Sequence, residues 1–170
     1  MAKAPPKSTK AAPTEAEKRP ERTYVTNKRA LFEYSILDTV EAGLELQGTE
    51  VKSIRAGNVN LRDAFARVQD GQVWLWNTHI SPWEQGNRWN HDPRRARKLL
   101  LHTREIARLA QGTHEGGTTL IPLRLYDKRG RIKIEIALAK GKKQYDKRAA
   151  ISERESKREL DRVIKEARAG

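Results

Sequence analysis

The 170-residue sequence contains no cysteine and only one methionine and two phenylalanines, and it has no long apolar run. Without cysteine there is no disulfide, no thiolate metal site and no thiol nucleophile. No apolar stretch approaches the ~18 residues that a membrane-spanning helix needs. The N-terminal residues lack the apolar segment of a secretory signal, so we expect a cytoplasmic protein that does not bind membranes.

The sequence also lacks the spacings that mark metal, nucleotide and catalytic sites. Its four histidines stand apart from one another, with none paired at helical spacing. No glycine-rich phosphate loop is present, and no local signature joins a serine and a histidine into a triad. We therefore predict no cofactor, no metal and no catalytic residue. An enzyme, such as a nuclease built on glutamate and histidine, is the third of three hypotheses for the function.

Positive charge is what the chain has in excess. Lysine and arginine number 35 against 22 aspartates and glutamates, for a net charge of +13. An excess of this size is typical of proteins that bind nucleic acid and, less often, of those that bind anionic membranes. We expect a soluble, polyanion-binding protein.

The basic residues cluster at 27–29, 88–108 and 128–133, and Trp89 and His91 are interleaved with the second cluster. Arginine beside flat rings suits RNA, because guanidinium groups contact phosphates while rings stack on unpaired bases. The alternative for the second cluster is a solvated helix face with tryptophans in the core. Trp83 and Trp89 lie in a polar, irregular stretch, where we expect partial exposure.

Both ends of the chain differ in composition from its middle. Residues 1–23 carry four of the seven prolines and predict a disordered arm, with order beginning near Tyr24. Residues 141–170 form a basic tail with few apolar residues, although these recur at roughly helical spacing. We expect this tail to be disordered when free and helical when it binds a polyanion.

Between the two ends, the pattern predicts strands in hairpins and two short helices. A strand runs from Phe32 to Leu46 with a bulge near 41–43. A helix follows over 50–56, with Thr49 as its expected N-cap and Gly57 as the residue that ends it. Asp-Gly at 70–71 predicts a hairpin whose second strand continues to Ile80. The two-residue spacing of Trp74 and Trp76 suggests that both lie in the core.

The second half continues the same way. A helix is predicted over 98–109, with Thr103 as a possible cap and Gly112 at its end. Strands 118–125 and 131–138 form a second hairpin, and Pro122 predicts an edge position or a bulge. The fold class is mainly β: a small antiparallel barrel over residues 24–140, similar to an OB-fold, with two to three short flanking helices.

Several ordered motifs resemble the SmpB family of SsrA-binding proteins, over about 85% of the chain. They are Asn27-Lys28-Arg29-Ala30, Glu33-Tyr34, Glu41-Ala42-Gly43-Leu44, residues 46–55, Arg97-Lys98-Leu99-Leu100-Leu101, Ala139-Lys140-Gly141-Lys142-Lys143 and Asp146-Lys147-Arg148. The resemblance implies a barrel that binds the tRNA-like domain of transfer-messenger RNA, which lacks an anticodon arm. It also implies trans-translation, in which that RNA is charged with alanine and carried by elongation factor Tu to stalled ribosomes, so that incomplete proteins are tagged for degradation.

Site residues follow from the same resemblance. RNA contacts on the protein body fall on Asn27, Lys28, Arg29, Glu41, Arg55, Leu100 and Lys133. A decoding-centre motif in the tail, which enters the empty mRNA channel, falls on Gly141, Lys142, Lys143, Asp146, Lys147 and Arg148. Three body residues keep a structural alternative, namely a turn cap for Asn27, a surface ion pair for Glu41 and a core position for Leu100. Ser156 stands where some members place a large aromatic residue.

The implied partners are transfer-messenger RNA and the ribosome, with elongation factor Tu and alanyl-tRNA synthetase acting indirectly through the RNA. A monomer is expected. The second reading is a general ribosome-binding or structured-RNA-binding OB-fold protein, whose tail is a nonspecific anchor.

Overall fold

The computed structural model describes residues 21–114 and 116–169. Within these residues the strands and α-helices, in chain order, are β1 (Arg22–Thr26), α1 (Lys28–Glu33), β2 (Tyr34–Leu44), α2 (Gly48–Arg55), β3 (Val59–Asn60), β4 (Phe65–Gln69), β5 (Gln72–Trp76), β6 (His79–Ile80), β7 (Arg97–Leu100), α3 (Thr103–His114), β8 (Thr118–Lys128), β9 (Arg131–Gly141) and α4 (Gln144–Ala169). A 3-10 helix covers Glu84–Trp89.

Six strands close into an antiparallel barrel. They are ordered β8-β4-β5-β7-β2-β9, and β9 pairs back with β8. Strand β1 adds to β8 from outside, while β3 and β6 form a separate two-stranded sheet. Closure removes the free edges of the six-stranded sheet. The predicted fold class, a mainly-β barrel similar to an OB-fold with flanking helices, is confirmed.

Local turn chemistry forms both predicted hairpins. Asp70 and Gly71 have positive φ angles of 52° and 69°, and Arg129 and Gly130 have 55° and 76°. Two consecutive residues of this kind are what a two-residue type I′ hairpin requires. The register of β8 against β9 shifts between Pro122 and Arg124, so the irregularity predicted from Pro122 is also confirmed.

The apolar residues form two clusters on the two sides of the barrel wall. The interior cluster includes Val73, Leu75, Leu99, Ile134 and Ile136, all buried. In the second cluster, Ala30 of α1 packs against Ile121, Leu123, Ala137 and Ala139 of the barrel strands. Helix α3 packs closely as well, because a Cβ on Gly112 would lie 2.4 Å from Cδ2 of Leu138. The second cluster attaches α1 to the outer wall of the barrel.

Two predicted elements are wrong because a short apolar run fits more than one period. The segment predicted as a helix over 98–109 is strand β7 followed by α3, which passes through Gly112 and ends at His114. The strand predicted from Phe32 begins at Tyr34, because residues 28–33 form α1. Pairing of β7 with β2 and β5 decides the first case. Packing of Ala30, the buried residue of α1, against the barrel wall decides the second.

Several boundaries also differ from the prediction. Helix α2 begins at Gly48 rather than after Thr49, and the irregularity of β2 lies between Ile36 and Asp38 rather than near 41–43. Strand β5 ends at Trp76, because Asn77 has a φ of 57° and the next strand pairs with β3 instead.

The arm predicted over 1–23 lies mostly outside the described residues. Strand β1 begins at Arg22, two residues before Tyr24, and pairs with β8.

The tryptophans of β5 face the other way from the prediction. Val73 and Leu75 are fully buried, whereas Trp74 is half-buried and Trp76 is exposed. Alternation identifies which residues share a face but not which face is inside. Barrel closure makes that choice.

One buried charge network joins α2 to the barrel. Arg97 is fully buried, and its Nε donates to Oε1 of Glu50 at 3.0 Å. Its remaining N–H groups donate to the carbonyls of Thr78, Arg95 and Pro93, and Arg95 also bonds Glu50 through Nε at 2.9 Å. Burial lowers the pKa of the Arg97 guanidinium, an effect that the Glu50 carboxylate opposes. Burial alone would raise the pKa of Glu50, but hydrogen bonds from Arg95, the Gln47 backbone and Arg97 lower it overall.

We predict that Glu50→Gln lowers the free energy of unfolding by about 3–5 kcal/mol at pH 7, because it leaves the buried Arg97 charge without its partner. The folded-state pKa of Glu50 is lowered, so its contribution is present above the unfolded pKa of about 4.3 and is lost as pH falls below it. The difference between wild type and Glu50→Gln should therefore narrow below about pH 4. Urea unfolding across pH measures this.

The matched control is Glu45→Gln, a nearby exposed glutamate whose side chain forms no salt bridge within the described residues. It should change stability by less than about 0.5 kcal/mol. An equal loss in both variants would contradict the role assigned to the network.

Candidate RNA-binding surface

Three neighbouring strands bring Leu100, Gly43 and Lys133 into one row. Gly43 lies opposite Leu100 of β7 on one side and opposite Lys133 of β9 on the other. The adjacent Ala42 and Ile134 are buried in the barrel interior, so the row lies on the outer face. Leu100 is 52% exposed, which excludes the core alternative for this residue.

The missing side chain of Gly43 shapes this row. A Cβ there would lie 3.2 Å from the Cβ of Leu100, which is closer than neighbouring side chains normally approach. Leu100 therefore lies against the bare backbone of β2. The signal for this in the sequence is a glycine inside a strand, which often marks a close approach. The sequence motif contained Gly43, but its packing role was not anticipated.

Arg55 joins the row through α2. This helix ends at Arg55, whose Nη2 donates to the carbonyl of Gly130 at the tip of the β8–β9 hairpin, at 3.3 Å. Arg55, Leu100 and Lys133 line one cleft of about 360 Å³, together with Arg131. We call Arg55, Leu100 and Lys133 the body patch.

Within the described part of the chain, the side chain of Lys133 forms no hydrogen bond and no salt bridge. A cation that is held on a strand but has no internal partner is free to bind phosphate, and the exposed Leu100 beside it offers an apolar surface to a base or a sugar. This combination suits a folded RNA better than a small anion.

Glu41 lies on the same outer face, two residues before Gly43, but its carboxylate is occupied. Tyr126 Oη donates to Oε2 of Glu41, and Lys128 Nζ lies 2.8 Å from the same oxygen. Partial burial would raise the pKa of Glu41, but the hydrogen bonds from Lys128 and Tyr126 outweigh it and lower that pKa. Burial and the bond to Glu41 raise the pKa of Tyr126. The ion-pair alternative for Glu41 is therefore present in the structure.

A second cleft, of about 660 Å³, adjoins the body patch and shares Leu100 and Lys133 with it. Its other lining includes Glu41, Lys98 of β7 and His102 at the start of α3. Lys133 and Leu100 thus separate two clefts, each with cationic side chains on its wall.

The Asn27–Arg29 motif lies elsewhere and is largely occupied by internal contacts. Asn27 is buried, its Oδ1 accepts from the Ala30 N–H at 3.1 Å, and its Nδ2 donates to the carbonyls of Leu61 and Pro122. It caps α1, and both polar atoms of its side chain already have hydrogen-bond partners within the protein. Arg29 bonds Glu33 at 2.9 Å and Asp63 at 3.2 Å. Lys28 is exposed.

Strand β2 separates this motif from the body patch. Helix α1 precedes Tyr34 at the start of β2, while Gly43 is near its end. Nine residues of extended strand span about 30 Å. The structure therefore divides the predicted RNA contacts into two groups at opposite ends of one strand.

The tail begins at the α1 end. Gly141 ends β9 opposite Tyr34, and the backbone N–H of Lys142 donates to the Glu33 carbonyl at 2.9 Å. Lys143, Asp146 and Arg148 are exposed, and within the described residues the side chains of Asp146, Lys147 and Arg148 form no salt bridge. These charges are available to a partner.

The rest of the tail is a single helix, α4. Its Arg154 lies 5.3 Å from the ring centre of Phe32 in α1. Leu160, Val163 and Ile164 are exposed, and Ser156 is exposed as well. The helical pattern predicted for the tail is confirmed, whereas its predicted disorder in the free protein stays a prediction.

The described residues contain neither a candidate metal site nor a candidate membrane-spanning helix. Within 21–114 and 116–169, no group of three or more histidine, cysteine, aspartate or glutamate residues is placed to hold a metal ion. Over the same residues, no helix is both long enough and apolar enough to cross a membrane.

Comparisons with known proteins agree on one family. The profile of the family described as "SmpB protein" matches residues 24–166. The SsrA-binding protein of Desulforudis audaxviator is 60% identical over 146 residues, covering 86% of this chain and 95% of that protein. The SsrA-binding protein of Bacillus cytotoxicus is 59% identical over 140 residues, covering 82% of this chain and 90% of that protein.

A solved structure is similar as well. It is described as "tmRNA-SmpB: a journey to the center of the bacterial ribosome", and the matching chain is 50% identical with a TM-score of 0.61. The match covers 71% of this chain and 85% of that chain.

We predict that Lys133→Ala weakens the binding of a folded RNA about tenfold, because it removes a charge-assisted contact to phosphate. It should also reduce the slope of log affinity against log salt by about 0.9, the value for one lost phosphate contact on a duplex. Filter binding at several salt concentrations measures both quantities.

Arg67→Ala is the matched control for that experiment. Arg67 is an exposed cation on β4, which lies opposite β2 in the barrel order. Affinity and salt slope should be unchanged in this variant. The same loss in both variants would show that RNA binds by net charge alone rather than at the body patch.

Proposed function

The chain belongs to the SmpB family, and on that premise we propose that it binds transfer-messenger RNA and acts with it on stalled bacterial ribosomes. The observation that carries this proposal is the body patch, where the unpaired Lys133 lies beside Arg55 and the exposed Leu100. The similar proteins are SsrA-binding proteins, and the description of the similar solved structure names transfer-messenger RNA and the bacterial ribosome.

We assign selection of the RNA to the body patch. Arg55 and Lys133 neutralise phosphates of the tRNA-like domain, and Leu100 packs under a base or a sugar. Glu41 acts by orienting Tyr126 and Lys128, since both of these groups already bond its carboxylate. Asn27 acts by capping α1 and tying it to β8, and it does not contact RNA itself.

We assign the ribosomal step to the tail. Gly141, Lys142 and Lys143 form its root, which α1 holds at the far end of β2 from the body patch. A protein that occupies the place of a missing anticodon arm needs its RNA-binding end and its decoding end apart. The separation of about 30 Å along β2 supports this division of labour. Asp146, Lys147 and Arg148 then contact the decoding centre, and α4 enters the empty mRNA channel.

The chain accordingly divides into an N-terminal arm over 1–23, a barrel over 24–140 and a tail over 141–170. The described strand β1 extends the ordered body back to Arg22. Lys28 and Arg29 belong to the tail end of the barrel, where the exposed Lys28 faces the cleft between α1 and α4.

The protein acts as a binding partner in the cytoplasm rather than as an enzyme. The family is known by the RNA that it binds, and the free charges of the body patch and the tail serve contact rather than catalysis. We propose that it acts as a monomer. Elongation factor Tu and alanyl-tRNA synthetase take part through the RNA.

Selective RNA binding tests this function. We expect the protein to retain an RNA that has a tRNA-like acceptor arm and no anticodon arm, in preference to a complete tRNA and to an unrelated hairpin RNA of equal length. The physical reason is that the body patch and the anticodon arm would compete for the same place. Competition filter binding measures the preference.

Equal retention of all three RNAs would contradict the assigned function and favour a general structured-RNA-binding protein. Cleavage of the RNA by the pure protein with a divalent metal would contradict the non-enzymatic role.

We predict that replacing Asp146, Lys147 and Arg148 together with alanine leaves RNA affinity within about twofold of wild type and abolishes tagging of stalled proteins. The three charged groups lie beyond the tail root, which adjoins the opposite end of β2 from the body patch. Tagging is measured in a lysate programmed with a message that lacks a stop codon. Unchanged RNA affinity serves as the control for folding.

Neutralising Arg162 and Glu166, an exposed ion pair on the same helix, controls for a general change in helix charge. This pair variant should still support tagging. A tail variant that lost RNA affinity in proportion to its tagging would show the tail to be a plain phosphate anchor.

A further inference from the structure

The proposed function assigns no role to the exposed aromatic side chain of Trp89. Trp89 is 68% exposed, which is more than any other tryptophan in the described residues. It ends the 3-10 helix Glu84–Trp89, in the irregular segment between β6 and β7. The Cζ atom of Arg88 lies 5.0 Å from the centre of its ring.

The loop that carries Trp89 has a defined internal structure. Asn90 accepts from the Trp83 N–H at 2.8 Å and donates to the Trp83 carbonyl at 2.8 Å, so its side chain closes the turn. A Cβ on Gly86 would lie 2.7 Å from the side-chain oxygen of Asn90. Asn87 has a φ of 43° and a ψ of −125°, a backbone conformation that residues other than glycine rarely adopt. These contacts hold the backbone beside Trp89 in one arrangement.

Both ends of the loop are attached to the barrel. Ser53 Oγ of α2 donates to the Ser81 carbonyl at 2.6 Å. The Pro93 carbonyl accepts from the Ile80 N–H and from Arg97 Nη2, each at 3.0 Å. Trp89 is therefore exposed on a fixed support, and not because its segment lacks contacts.

The surroundings of Trp89 are polar, which disfavours a protein partner. Its exposed neighbours within residues 84–92 are all polar or charged, and no other large apolar side chain of that segment is exposed. They are Glu84, Gln85, Asn87, Arg88, His91 and Asp92. Protein-binding sites surround an aromatic anchor with further apolar surface. A single exposed indole beside a guanidinium is instead the arrangement that stacks on a nucleobase, with the cation near phosphate.

We propose that Trp89, with Arg88 beside its ring, is a binding site for an unpaired RNA nucleobase, separate from the body patch. Arg88 covers one side of the indole, and the exposed part of the ring receives the base. The loop is attached to α2 by the hydrogen bond from Ser53, and Arg55 is the last residue of the same helix. One short helix therefore links the loop to the body patch. The proposal rests on the proposed function, because it takes RNA as the partner.

The experiment compares Trp89→Ala, Trp89→Phe and the control Trp76→Ala, which removes another exposed indole from β5. One arm uses an RNA with a tRNA-like acceptor arm and its loops, and the other uses purified small ribosomal subunits. Affinity is measured in both arms at several salt concentrations. Unchanged urea midpoints establish that all three variants fold.

We expect Trp89→Ala to weaken binding about 5- to 100-fold in one arm, as loss of one stacked base does. Trp89→Phe should restore most of the affinity, and Trp76→Ala should have no effect. The salt slope should stay at the wild-type value, because stacking releases no counterions. If Trp89→Ala instead disrupted the whole loop, the salt slope would change and Trp89→Phe would not restore binding.

Base identity gives the second readout. In the RNA arm, single abasic substitutions are made at unpaired positions. At least one of them should weaken the binding of the RNA to the wild-type protein without weakening its binding to Trp89→Ala. In the subunit arm, chemical probing should show a base that wild type protects and Trp89→Ala does not. Either result supports the proposal and assigns the base to its source.

Unchanged affinity in both arms overturns the proposal, and so does a loss without any Trp89-dependent base. Loss of tagging with unchanged affinity in both arms also overturns it and assigns Trp89 to a protein partner. These outcomes are distinct from failure of the proposed function, in which wild type itself would show no preference for the tRNA-like RNA.

Discussion

The contact between Glu50 and the buried Arg97 is the interaction on which the binding surfaces depend. Glu50 belongs to α2, which ends at Arg55, and Arg97 begins β7, which ends at Leu100. Arg95, which also bonds Glu50, closes the segment that carries Trp89. Burying an arginine is costly, and here three backbone carbonyls and one carboxylate accept its hydrogen bonds and offset that cost. One network therefore orients a helix, a strand and a loop that all carry candidate contacts.

The internal partners of each cation separate structural from functional candidates better than charge does. Arg29 and Arg124 bond carboxylates at their own surface, and Lys128 bonds Glu41. Lys133 lies among such residues without a partner of its own in the described chain. In the sequence these cations look alike. Only the unpaired one retains its full charge for phosphate, because a paired guanidinium would first have to give up its carboxylate.

The length of β2 gives the molecule two ends with separate work. The body patch lies at one end, and α1 with the tail root lies at the other. Each end is fixed to the same pair of long strands, so the distance between them cannot vary with loop motion. This rigidity suits the proposed division of labour, in which the body patch holds one RNA while the tail contacts another site.

Much of the fold is local in origin and could be predicted. Asp-Gly at 70–71 and Arg-Gly at 129–130 place two hairpins, and the alternation of isoleucines in β9 marks its inner face. The helix at 98–109 was predicted wrongly because Leu99, Leu100 and Leu101 fit a helix and a strand equally well. The ordered family motifs contain Arg55 and Leu100, and the family resemblance pointed to Lys133 as well, although these residues lie far apart in the chain.

The sequence by itself determined the class of the fold, the polyanionic character of the partner and the family. Tertiary structure alone decided that Asn27 is a buried cap and that Trp76 lies outside the barrel while Leu75 lies inside. It also decided that Gly43 lies between Leu100 and Lys133 on the outer face. The reason is physical. Turn preference and periodicity act over a few residues, whereas the inside of a barrel exists only once distant strands pair and close.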